Sequence, residues 1–116
     1  MTAVYVALAG AAGVLARYGI SSPFHGSTLP WVTVAINVVG SFVLGMLLVA
    51  HWTTPETRTI LGVGFLGGFT TFSTFSAQAW LDIEAGKTGT AALYVAASVV
   101  LGIAAAAAGY AAAKAL

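Results

Sequence analysis

Cysteine is absent from this 116-residue sequence, so disulfides, thiolate metal sites and thiol catalysis are excluded and the redox compartment is left open. Charge is scarce as well. Only 6% of the residues are Asp, Glu, Lys or Arg, against roughly 25% in an average soluble domain, so water is not the chain's main solvent. The carboxylates Glu56, Asp82 and Glu84 are read as falling in loops, which leaves no acid within a span to relay protons or neutralise a cationic drug. His25 and His51 lie at opposite ends of the expected fold and share no metal-ligand spacing. The glycines near Gly67 are not followed by Gly-Lys-Ser/Thr, and no base within the apolar stretches could activate the many serines and threonines. The chain is therefore not read as an enzyme. A net charge of +1 gives no sign of a nucleic-acid partner, and none is expected. There is no linker, no Pro/Ser-rich stretch and no room for a soluble domain of about 50 residues beside the apolar segments.

Hydrophobic residues make up 59% of the chain, with a mean hydropathy of +0.98. A bilayer core takes about 20 apolar residues per helix, so four spans would use roughly 80 residues and leave short loops. The expected fold is an all-α membrane protein with a single four-helix transmembrane domain over residues 1–116. Helix 1 runs from Ala3 to about Tyr18, and Ser21-Ser22-Pro23 and Gly26-Ser27 form the loop after it. It starts at Met1 with no basic stretch before it, and is expected to be a retained helix. Helix 2 runs from Trp31 to Trp52, bounded by tryptophans that favour the headgroup level. Thr53 to Arg58 is expected to be a loop, Thr59 to Trp80 the third span, and Thr90 to Ala113 helix 4.

The third span differs from its neighbours. It carries Gly62, Gly64, Gly67 and Gly68, then Thr70, Thr71, Ser73, Thr74 and Ser76 at mid-depth. Either it is broken at mid-membrane, where freed backbone groups must face protein or a water-filled cavity, or it is kinked at Gly67-Gly68 for close packing. In helix 2, Thr33, Asn37, Ser41 and Gly45 recur every four residues and form one polar, small stripe. That stripe is either helix–helix glue or the wall of a water-filled path. Phe72 and Phe75 share a helical face beside a hydroxyl row of Thr71 and Thr74. Aromatic rings carry positive edges and hydroxyls donate hydrogen bonds, so such a face tolerates an anion without a fixed charge; packing is the other reading. Tyr94 and Ser98, one turn apart on helix 4, could lie opposite. Arg17 ends helix 1, where it either complements the helix dipole or draws anions into a vestibule.

Four basic side chains set the orientation rule, and they divide evenly: Arg58 and Lys114 on one side, Arg17 and Lys87 on the other. A chain without bias can insert both ways, and oppositely inserted copies can pair about an axis in the membrane plane.

Three segments together resemble the Fluc/CrcB family of fluoride channels: Gly10-Ala11-Ala12-Gly13 leading to Arg17-Tyr18, Asn37-x-x-Gly40-Ser41-Phe42, and the run Gly64-Phe65-Leu66-Gly67-Gly68-Phe69-Thr70-Thr71-Phe72-Ser73-Thr74-Phe75. The last is the most specific, and the resemblance extends over essentially the whole chain. It implies an antiparallel, dual-topology homodimer in the cell membrane, with the third helix broken and two separate fluoride pores. It also implies a structural sodium ion at the dimer interface, held by backbone carbonyls carried here onto Gly67 and Thr70; hard oxygen ligands suit such a cation. The pore lining it implies comprises Asn37, Ser41, Phe72, Phe75, Thr71, Thr74, Tyr94 and Ser98, with the phenylalanines of one subunit meeting Asn37 of the other. Arg17 would stand in the vestibule. The polar track on helix 4 departs from the family at Gly102, where a hydroxyl is often expected. The implied role is passive, electrogenic export of fluoride, and hence fluoride resistance. An anion leaving a negative interior gains roughly 2.3 kcal/mol per 100 mV. The rival expectations are a small membrane scaffold or assembly subunit, and a proton-coupled small-ion exporter.

Overall fold

The computed structural model describes residues 1–116. It is built of helices: α1 (Thr2–Ser21), a short 3-10 turn (Gly26–Thr28) entering α2 (Leu29–Leu48), α3 (Pro55–Thr59), a π-helical stretch (Ile60–Leu66), α4 (Gly67–Phe69), α5 (Phe72–Glu84) and α6 (Thr88–Lys114). Four stretches are long and apolar enough to cross a membrane: Thr2–Ser21, Gly26–Leu48, Pro55–Glu84 and Thr88–Lys114. The 27 residues of α6 correspond to about 40 Å at 1.5 Å per residue, longer than a bilayer core of about 30 Å.

Local chemistry moves several boundaries from those expected. Thr54 caps α3 by accepting the Thr57 N–H, Pro55 occupies the first turn and Glu56 follows it, so the segment expected as a loop starts the third span instead. Glu56 thus lies in a first helical turn. Asp82 and Glu84 likewise belong to the last turn of α5 rather than to a loop. That helix ends where Gly86 takes a φ of 81°, while Gly86 N–H donates to Ile83 O and Lys87 N–H to Asp82 O. This is the Schellman closure, for which glycine is suited because it lacks a Cβ. Helix α2 ends at Leu48, short of Trp52, and the freed Ala50 carbonyl accepts from the Arg58 guanidinium at 3.2 Å and the Thr53 hydroxyl at 3.0 Å.

Small residues bring the helices into contact. A Cβ on Gly45 would collide with the Ala106 carbonyl, and one on Gly109 with the Phe42 carbonyl; α2 and α6 therefore touch backbone to backbone. On the other side, a Cβ on Gly64 would stand 2.9 Å from Val6 O, while Gly13 and Gly68 admit the carbonyls of Phe65 and Gly10. In this way α1 is seated on the π-helical stretch and α4. Only 17 of 116 residues are buried, and Leu8, Leu15, Leu93, Val100 and Ile103 face outward, a surface that suits lipid and not water.

Candidate functional site

The third span departs from helix at Thr70 (φ −88°, ψ 160°) and Thr71 (φ −152°, ψ 122°), both extended. Gly67 and Gly68 themselves remain helical, so the interruption falls on the threonines and not on the glycines. What holds it open comes from α2. Thr71 N–H donates to Asn37 Oδ1 at 2.8 Å, and Asn37 Nδ2 donates to Thr71 O at 3.0 Å. An amide N–H can only donate, so this pairing also fixes which way the Asn37 amide points. One side chain thus satisfies both backbone groups of Thr71, which would be costly to bury unpaired. Gly40, one turn further on, makes room for the Thr70 methyl, into which a Cβ would drive.

The interruption also releases carbonyls. In a continuous helix Thr71 N–H would serve Gly67 O, and Thr74 N–H would serve Thr70 O. The first goes to Asn37 instead. The second goes to Thr71 Oγ1 at 3.2 Å, which caps α5. Gly67 and Thr70 therefore lose their helical partners, whereas the Gly68 carbonyl between them accepts from Arg17 Nε at 3.2 Å. No group of three or more His, Asp or Glu side chains is placed to hold a metal ion.

Above the interruption lies a groove of about 330 Å³ whose walls include Asn37, Ser41, Thr71, Phe72, Phe75 and Ser98, together with Gly67, Thr70 and Gly102. No ionisable side chain lines it. The Ser98 hydroxyl is buried and has no hydrogen-bond partner, and the Ser41 hydroxyl would lie 3.9 Å from a Cβ at Gly102. The Phe72 and Phe75 rings are 5.6 Å apart and tilted by 57°. Phe75 rests on Tyr94 at 5.1 Å, but Phe72 stands 78% exposed.

Thr71 is shared with a second cavity of about 140 Å³, lined by Arg17, Tyr18, Ser21, Thr33, Thr74 and Gln78 among others. Thr74 belongs there and not to the groove. Tyr94 lines neither; it is buried beneath Phe75, with its hydroxyl donating to Gln78 Oε1 at 3.0 Å. Because Gln78 accepts through its oxygen, its NH₂ remains a donor toward the second cavity. Gln78 is the member of this group that sequence reasoning passed over. Its signal was an amide four residues after Thr74, on the same face. Both cavities therefore offer N–H and O–H donors without a carboxylate, an environment that accepts an anion and repels none.

Comparison with known proteins gives a family match over residues 4–110, to the family described as CrcB-like protein, Camphor Resistance (CrcB). A relative from Rhodospirillum centenum, named fluoride-specific ion channel FluC, is 49% identical, covering 84% of this chain and 83% of the relative. A relative of the same name from Rhizobium johnstonii is 45% identical, covering 98% of this chain and 97% of its own length. A third from Erythrobacter litoralis, again so named, is 41% identical over 86% of this chain and 82% of the relative.

Proposed function

Because the chain belongs to the CrcB-like family, we propose that it is a fluoride-specific ion channel, a multi-pass membrane protein and not an enzyme, as its relatives' names indicate. The observation that carries the reading is the interruption at Thr70–Thr71. It is clamped by Asn37 under a groove of hydroxyls and two phenylalanines with no ionisable side chain. Fluoride is strongly hydrated, so a path must replace lost water with donors while avoiding a full positive charge that would trap it. Ser98, Ser41 and the hydroxyls of Thr71 and Thr74 supply O–H donors, and the edges of Phe72 and Phe75 supply partial positive charge. The second cavity serves as the vestibule: there Gln78 offers an N–H donor and the Arg17 guanidinium draws the anion in, ahead of the uncharged groove. Transport is passive and electrogenic export, driven by the membrane potential, and it confers fluoride resistance.

The finer assembly is part of the same proposal. The interruption lies at mid-membrane, and two copies of opposite orientation pair as a homodimer in the cell membrane. The nearly bare Phe72 ring supports this, since it has little of its own chain to cover it, as does the even division of Arg17 and Lys87 against Arg58 and Lys114. Gly67 and Thr70 would hold a sodium ion through the carbonyls that the interruption releases, and the ion would fasten the two copies together.

A fluoride-sensitive bacterial host tests channel and assembly together. The unmodified chain should restore growth in fluoride. A variant with several lysines added on one side should not do so alone, but should when expressed with a partner biased the opposite way. Full growth with a one-sided variant alone would contradict the antiparallel pairing. Failure of the unmodified chain to restore growth would favour the scaffold.

A further inference from the structure

A third cavity, of about 170 Å³, lies away from the groove, at the end of the bundle where the 3-10 turn, the start of α2 and the α5–α6 turn converge. Its walls are Ser27, Pro30, Trp31, Asp82, Lys87, Thr90 and Tyr94. The Schellman closure at Gly86 sets residues 82 and 87 side by side, at the two positions that usually meet in an apolar contact. Here those positions are an acid and a base. Neither makes a side-chain hydrogen bond, and no ion pair forms between them, so each charge is available to something else in the cavity. Trp31 meets the Tyr94 ring edge-on at 6.0 Å and gives an aromatic wall, while Ser27 and Thr90 add hydroxyls.

One carboxylate and one ammonium, unpaired in the same cavity, match a zwitterion whose charges are reversed. The cavity is smaller than the roughly 300 Å³ at which pockets for whole small molecules begin, and so suits a head group. It lies at the end of three spans beside Trp31, a residue type that settles at the headgroup level. Trp80, Leu81 and Ile83 are exposed on the adjoining turns of α5 and offer an apolar surface for acyl chains. We propose that this cavity holds the head group of an ethanolamine phospholipid, with the Asp82 carboxylate receiving its ammonium and the Lys87 ammonium its phosphate. A primary ammonium donates hydrogen bonds to Asp82 and to the Ser27 and Thr90 hydroxyls, which a quaternary choline cannot do. The site is separate from the ion path, and the proposal does not depend on which ion that path carries.

Native mass spectrometry of the purified protein with phosphatidylethanolamine, phosphatidylcholine or phosphatidylglycerol added separately reads the proposal directly. The unmodified protein should retain phosphatidylethanolamine more tightly than either other lipid. Asp82→Asn should weaken that retention by about tenfold, the loss of one charge-assisted hydrogen bond, and should not weaken that of phosphatidylglycerol, whose negative charge then meets one carboxylate fewer. Lys87→Gln should weaken both. The size-exclusion profile and thermal melt of each variant certify that it is folded. Equal retention of phosphatidylethanolamine and phosphatidylcholine, an undiminished preference in a folded Asp82→Asn variant, or tightest retention of phosphatidylglycerol through Lys87 alone would each overturn the proposal.

Discussion

Fluoride flux should fall by about three orders of magnitude in Asn37→Asp, with the protein still folded. An ionised carboxylate about 4 Å from the path repels a passing anion by about 4 kcal/mol at an effective dielectric of 20, and each 1.4 kcal/mol is about tenfold in rate. A second loss adds to this. Asn37 donates to Thr71 O and accepts from Thr71 N–H; aspartate keeps the accepting half and sets an oxygen against the Thr71 carbonyl. The extended pair Thr70–Thr71 then loses half of its clamp, and the hydroxyls that Thr71 positions shift with it. Efflux from liposomes, read beside the size-exclusion profile, checks the result. Wild-type flux in a well-folded variant would return Asn37 to the role of helix–helix glue.

Phe75→Ile should lower flux by at least about tenfold while lowering stability only modestly. Isoleucine is apolar but somewhat smaller and loses the aromatic pairing, a cost of about 1–2 kcal/mol that is moderated because Phe75 is only partly buried, against Val34, Ala79 and Tyr94. In the proposed path it is the ring itself that meets the anion. The ring is held by Phe72 at 5.6 Å and Tyr94 at 5.1 Å, and isoleucine offers no positive edge to an anion. A thermal melt alongside the flux assay separates the two readings. Equal falls in stability and flux would mark Phe75 as packing.

The four spans were legible because lipid imposes long apolar runs, and the polar stripe was legible because Thr33, Asn37 and Ser41 recur at helical spacing in an apolar helix. Of the residues expected along one path, Asn37, Ser41, Thr71, Phe72, Phe75 and Ser98 line a single groove, whereas Thr74 and Tyr94 do not. The resemblance pointed to the glycine-threonine segment, but propensity did not show that the threonines rather than the glycines leave the helix. Glycines suggest a break by propensity, yet Gly67 and Gly68 stay helical because α1 supports them through close contacts at Gly10 and Gly13. The chain leaves the helix at Thr70 and Thr71 because Asn37, 34 residues before Thr71 in sequence, accepts from the Thr71 N–H and donates to the Thr71 carbonyl. The π-helical stretch Ile60–Leu66 is likewise set by long-range contact with α1. The start of α3 was the opposite case. Thr54-Pro55-Glu56 is a local helix-start signal, although polar residues between two apolar runs also read as a loop. Tyr94 shows a further limit, since only the packed structure reveals that its hydroxyl is turned to Gln78 and away from the groove.

The most direct test of the central claim is fluoride release from liposomes that contain the purified chain, followed with a fluoride electrode after valinomycin is added to let potassium leave with the anion. A fluoride channel predicts rapid release that begins only when valinomycin allows charge balance, with no need for a proton gradient and no comparable release of chloride. Release no faster than from protein-free liposomes, release that requires a proton gradient, or equal release of chloride would contradict it.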